Sequence, residues 1–221
     1  MKNSKEYSGK IQKYYLSLKK KYPKPHKVSY DEPLDAVIYA FISQNIAENA
    51  AQAASKRFSE YFVDLNDLRV SRVEEIVEVL GVEGAVGKSI GLSLLSVLRA
   101  IFEKFNIVSF ESLKKMSKRP ARQLLEKFVV DNRFVVDYCM LTALRGHTIP
   151  LTGQMIEFLK TNSFVDAQAS HEEIEGFLAR QVSAQIAYEF YFLLRRGSEA
   201  GKLSPSRAAA KQAKQNPSKK A

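Results

Sequence analysis

Apolar residues recur along this chain at intervals of three and four almost throughout, and nowhere do they alternate at every second position long enough to make a strand. Leu34, Val37, Ile38, Phe41 and Ile42 form one such row; Leu92, Leu95, Val97, Leu98, Ile101 and Phe102 form another. A period near 3.6 puts such residues on one stripe of a helix, whereas a half-buried strand needs a period of two. An all-α fold is therefore expected. Turn residues divide the pattern. Pro23 and Pro25 end a first helix, Pro33 opens a second, and Gly81 to Gly87 make one flexible stretch. Further helices are predicted at 67–80, 109–117, 119–128, 133–145, 152–162, 171–180 and 184–196, with no internal repeat.

With 221 residues, 45% of them hydrophobic, the chain can bury one sizeable core or two small ones. Its first residues, MKNSKEYSGK, carry no apolar stretch of the kind a secretory signal needs, and no apolar run approaches the ~20 residues of a membrane helix. These features predict a soluble, intracellular protein, cytoplasmic (nucleoid) or nuclear, without membrane attachment and monomeric. Cys139 is the single cysteine, so neither an internal disulfide nor a cysteine-held zinc or iron–sulfur cluster is expected, and no cofactor or metal is assigned.

The net charge of +10 suits a polyanionic partner, because Lys and Arg that neutralise phosphates release counterions. Its distribution is uneven. Residues 1–27 hold nine Lys against Glu6 alone, residues 201–221 hold six Lys or Arg and no acid, and residues 28–200 are left at −4. The positive charge sits at the two ends. Residues 200–221, almost without bulky apolar side chains, read as a disordered basic tail.

Most single motifs dissolve on inspection. Gly87-Lys88-Ser89 ends like a phosphate-binding loop, but that motif needs a glycine where Val82 stands. Ser89, Cys139 and Thr142 have no base at a recognisable spacing, and His26, His147 and His171 lie far apart. Ser170 and Glu173 fit a capping box at the start of a helix. Tyr188, Phe190, Tyr191 and Phe192 read as core.

The order of segments is more informative. Asp31-Glu32-Pro33-Leu34 leads into an apolar helix that ends in Phe41-Ile42-Ser43-Gln44-Asn45-Ile46-Ala47-Glu48. Then come a helix from Ala51 to Phe58, the Gly87-Lys88 turn before a long helix, and a closing Tyr188-Glu189-Phe190…Gly197 segment. Over roughly residues 10–200 this order resembles the helix-hairpin-helix DNA glycosylase superfamily, the group that contains endonuclease III. The resemblance implies two helical lobes, one of residues 34–148 and the other of 1–33 with 149–199, and duplex DNA in the cleft between them. It also places Gln44 and Asn45 in the loop that fills the gap left by a flipped nucleotide; helix C-capping is the other role open to them.

The family's hairpin, L-P-G-V-G-x-K-T-A, corresponds here to Phe128-Val129-Val130-Asp131-Asn132-Arg133-Phe134-Val135-Val136. Both glycines are missing, and Phe134 stands where bifunctional relatives carry the lysine that forms a Schiff base; a phenyl ring is no nucleophile. The family's V-D-T-H corresponds to Leu151-Thr152-Gly153-Gln154, so Thr152 replaces the essential aspartate. Reading Val136-Asp137 as the V-D pair instead upsets the downstream spacing, which leaves Asp137 as an ordinary helix residue.

Three functions follow as expectations. The first is a catalytically inactive relative that binds double-stranded DNA weakly through Gln44, Asn45, Lys88, Lys127, Arg133 and its basic ends. The second is a DNA glycosylase that uses a relocated carboxylate such as Glu157 or Asp131. The third is a helical protein-interaction module.

Overall fold

A computed structural model of the protein describes residues 4–202, and among these the chain forms eleven α-helices and no strand. They are α1 (Ser4–Lys21), α2 (Pro33–Ser43), α3 (Glu48–Tyr61), α4 (Leu65–Val70), α5 (Val73–Leu80), α6 (Gly84–Phe105), α7 (Lys118–Phe128), α8 (Arg133–Thr142), α9 (Gly153–Thr161), α10 (His171–Gln181) and α11 (Ala187–Lys202), with a 3-10 turn at Glu111–Lys115. Residues 200–202, assigned to the tail from composition, continue α11; the rest of that tail lies outside the described residues.

Helix α2 is the centre of the core. Pro33 sits in its first turn, where a missing N–H costs nothing, and Glu32 caps it by accepting from Leu34 N. Ten of its eleven residues are buried, which means it is enclosed around its whole circumference, against α3, α6 and α8. Only Asp35 escapes. The capping box at Ser170 and Glu173 is present as expected: each side chain accepts from the other residue's backbone N–H and α10 begins there.

Three segments differ from expectation. The helix expected over 67–80 is two, because Asp64 caps α4 and the chain turns at Ser71, whose hydroxyl donates to the Asp67 carbonyl. Residues 109–117 form only the 3-10 turn. The glycine stretch closes early: Gly81 ends α5 at φ 63, a conformation glycine adopts freely, and α6 already starts at Gly84. Helix α6 is also long and apolar enough to cross a membrane by length and composition. It serves instead as a core helix, with Ile90, Leu94, Leu98 and Ile101 buried and with α2, α4, α5 and α7 against it.

Helix α1 packs on α11 through Ile11 and Leu18. Gly197 marks their closest approach: a Cβ there would overlap the Tyr14 hydroxyl and come within 2.9 Å of Leu18 Cδ2. Tyr15 donates to Glu189 at 2.8 Å along the same seam. Helices α8 and α9 also pack on α11, which joins the N-terminal helix to the rest.

Candidate nucleic-acid interface

The turn between α2 and α3, Gln44 to Ala47, is held from beneath by one buried arginine. Arg195, 2% exposed, donates through Nη2 to the carbonyls of Ser43 (2.5 Å) and Ile46 (3.0 Å), and through Nη1 to the Tyr191 hydroxyl (2.9 Å). Its Nε lies 3.1 Å from Glu48 Oε2 and 3.2 Å from Glu199 Oε1. Glu48 in turn accepts from Tyr39 at 2.6 Å, and its backbone N–H donates to Glu199. A buried charge is tolerated only when paired and hydrogen-bonded, and this one has both. Gln44 and Asn45 are thereby presented on a fixed turn. The turn is also tied sideways, since Asn132 Nδ2 donates to Gln44 Oε1 at 2.6 Å. Gln44 additionally serves as the C-cap residue of α2, its N–H bonding to Ala40.

Asn132 belongs to the link between α7 and α8, Val129 to Asn132. Asp131 makes this turn in the left-handed region (φ 51), which Asp and Asn tolerate better than other non-glycine residues. Asn132 caps α8 by accepting from Val135 N at 3.3 Å. Val130 projects into solvent, 72% exposed. In the first turn of α8, Phe134 is 3% exposed, its ring centroid 6.0 Å from Tyr138 and 6.5 Å from Tyr191.

Thr152 is the N-cap residue of α9. Its backbone is extended, and its hydroxyl accepts from Met155 N at 3.2 Å to cap α9. Thr152, Gln154 and Glu157 of this region, Gln44 and Asn45 of the turn, and Arg195, Ser198 and Glu199 of α11 line one open cavity of about 220 Å³. Apart from Ile46 and Gly153 the lining is polar, and it contains no aromatic ring. Much of it is already engaged: Gln154 Nε2, for instance, donates to the Ser198 carbonyl at 3.2 Å.

A second cavity, of about 360 Å³, opens beside the hairpin and is lined by Arg122, Glu126, Asp131, Asn132 and Arg133 among others. Both arginines are committed. Arg122 Nη1 lies 2.6 Å from Asp137 Oδ1 and its Nε 2.9 Å from Glu126; Arg133 pairs with Glu172 at 2.5 Å and Glu175 at 3.0 Å. Asp137 is fully buried and its Oδ2 has no hydrogen-bond donor. Burial, reinforced by the neighbouring Glu175 carboxylate and only partly offset by Arg122, pushes its carboxyl up to about 7. With Asp131 included, five carboxylates surround two guanidinium groups here.

Several solved structures share this arrangement of helices. A non-covalent endonuclease III–DNA complex matches with a TM-score of 0.65 at 15% identity, over 85% of this chain and 84% of that one. A Clostridium acetobutylicum 8-oxoguanine glycosylase/lyase bound to duplex DNA gives 0.66 at 13%, over 90% and 71%. The H. pylori 3-methyladenine DNA glycosylase bound to 1,N6-ethenoadenine gives 0.63 at 16%, over 92% and 99%. This is the helix-hairpin-helix DNA glycosylase fold. At these identities the likeness establishes the fold alone; no protein-family profile and no curated protein matches the chain.

Within the glycosylase fold, the residues singled out from sequence are dispersed. Gln44, Asn45, Thr152 and Glu157 share one cavity, while Asp131 and Arg133 line the other. Lys127 is exposed in the last turn of α7, next to the hairpin. Lys88, expected in a turn, is an exposed residue inside α6 and lines neither cavity. Cys139 is buried against the Pro33 carbonyl, and among the described residues no group of three His, Cys, Asp or Glu side chains could hold a metal ion. Arg195 and Glu48 were not anticipated, being 147 residues apart in a sequence where each reads as a surface charge. Asp137, expected to be an ordinary helix residue, is a buried member of the ion-pair cluster.

Proposed function

We propose that this chain is a catalytically inactive protein of the DNA glycosylase fold that binds duplex DNA weakly and without sequence preference. The observation that carries the reading is the pair of replaced residues. Phe134 is packed among tyrosines with no amine to offer, and the Thr152 hydroxyl is occupied in capping α9. Base excision with strand cleavage needs an amine that can attack the sugar and a carboxylate or equivalent to move protons or stabilise charge. Neither stands at these positions.

DNA binding is supported by the DNA-bound neighbours of the fold and by the basic ends of the chain. The hairpin contributes little, because Val130 projects from it, Asp131 is negative, and Arg133 is paired with Glu172 and Glu175. Mixing the protein with abasic duplex and borohydride tests inactivity: no covalent adduct is expected, and an adduct that survives denaturation overturns it. The double variant F134K/T152D then asks whether the fold still presents DNA to a restored pair.

A second reading, an active glycosylase with a relocated carboxylate, draws support from Glu157, which lines the same cavity as Thr152. Release of a damaged base by the wild-type chain, abolished in E157Q, would establish it. A third, a helical protein-interaction module, is favoured by the acidic surroundings of the hairpin. Absence of DNA binding even at low salt would establish that the fold has left DNA altogether.

A further inference from the structure

We infer that the outer face of α1, continued by Arg196 of α11, is a phosphate-binding surface along which duplex DNA runs beyond the Gln44–Ala47 turn. This rests on the reading that the chain binds duplex DNA, and it says where most of the phosphate contacts are. Helix α1 turns Ile11 and Leu18 to the core, so the opposite face is open to solvent. On that face and its flank lie Lys13, Lys20 and Lys21, all exposed and, among the described residues, without an ion-pair partner. By contrast Lys10 is paired with Glu6, and Lys19 with Glu189.

The lysine face leads to the start of α3, beside the Gln44–Ala47 turn, through a continuous set of contacts. Lys21 lies over the Tyr22 ring, the Arg196 guanidinium stands 6.0 Å from the same ring and 5.3 Å from Phe192, and Arg196 Nη2 reaches Asn49 Oδ1 at 3.5 Å. Asn49 is in the first turn of α3, directly after the turn that carries Gln44 and Asn45. The cations therefore extend from beside the Gln44–Ala47 turn along α1 from Lys21 to Lys13, about 12 Å at 1.5 Å per residue, the axial length of about three to four base pairs. The arginines around the Gln44–Ala47 turn and the hairpin, Arg195, Arg122 and Arg133, are all neutralised by carboxylates, which leaves Lys127, among the described residues, as the unpaired cation named at the hairpin.

An anionic lipid surface is the competing polyanion. A helix that lies in a membrane interface needs an outward apolar face to insert. The apolar face of α1 is already covered by α11, and Leu16 is its one large exposed hydrophobic residue. Duplex DNA, which needs charge and no insertion, fits better.

The experiment measures binding of the full chain to a 25-base-pair duplex by fluorescence anisotropy between 50 and 200 mM salt. K13A/K20A/K21A should flatten the slope of log affinity against log salt by about 2.7, or about 0.9 per phosphate contact; over this range the wild type then loses about 40-fold more affinity than the variant. R196A should remove about one further contact. K13R/K20R/K21R should keep the wild-type slope, and K104A/K115A, outside α1 and α11, should leave it unchanged. A wild-type slope in K13A/K20A/K21A, with its circular dichroism melt intact, overturns this inference and leaves the DNA-binding reading standing. A wild-type chain that binds no duplex overturns both, and if it binds phosphatidylglycerol vesicles through the same lysines the surface is a lipid one.

Discussion

Arg195 and Glu48 face each other at 3.1 Å beneath the Gln44–Ala47 turn, one from α11 and the other from the first turn of α3. The pair closes the turn onto the far end of the chain and removes both charges from solvent. Removing one partner of a buried pair strands the other, at a cost of about 3–5 kcal/mol. R195A should lose stability of that order in urea unfolding, and E48Q, which can still accept from Tyr39, should lose less. A loss below about 1 kcal/mol in R195A would mean that the turn is held by other contacts.

The Thr152 hydroxyl holds the start of α9. T152A should cost about 1 kcal/mol, the usual loss of a helix N-cap, while T152D should keep most of that stability because aspartate caps equally well. Thermal melts of the two variants decide: equal damage in both would show that the side chain packs rather than caps.

Stability should fall as pH rises toward neutrality through Asp137. Its folded-state pKa is raised above the unfolded value, so the folded chain holds the proton more tightly. The contribution is complete below the ordinary aspartate range and is lost as pH climbs through about 7. Melts at pH 5 and pH 8 should differ accordingly, and the difference should shrink in D137N. A wild-type Tm that rises between those pH values by way of Asp137, so that D137N removes the rise, would reverse the assignment.

Helix α1 depends on Gly197. G197A should destabilise the chain by about 1–3 kcal/mol, the usual cost of overpacking, and should expose the lysines of α1 to faster trypsin cleavage. Unchanged cleavage with unchanged stability would mean that α1 and α11 separate without strain.

Much of the fold was legible because its signals are local. The row Leu34, Val37, Ile38, Phe41, Ile42 fixes α2, Pro33 its start, and Ser170 with Glu173 the start of α10. The break at Ser71 was not legible, since apolar residues continue at helical spacing across it and the turn is set by the Asp64 carboxylate accepting from Asn66 and Asp67 N–H and by the Ser71 hydroxyl donating to the Asp67 carbonyl. At the site, the sequence names Phe134 and Thr152 through the resemblance alone; that the first packs among tyrosines and the second caps α9 emerges only from the folded chain. The ion pairs could not be read, because charge partners such as Arg195 and Glu48, or Arg133 and Glu175, meet only once distant helices pack. Nothing in the sequence near Asp137 says that its neighbour is an arginine of the preceding helix and a glutamate of α10.

The seating of α1 on α10 and α11 bears on the order in which the molecule takes shape during synthesis. Tyr15 meets Glu189 174 residues later, and Ser8 meets Gln181 173 residues later. Helix α1 leaves the ribosome before the other described helices and is thus among the last of them to find its partner, while α2 through α8 can assemble from near neighbours in between. For that interval its tyrosine-lined face is uncovered. The lysines on its outer side then have an early role as well, keeping the nascent helix soluble until α11 emerges.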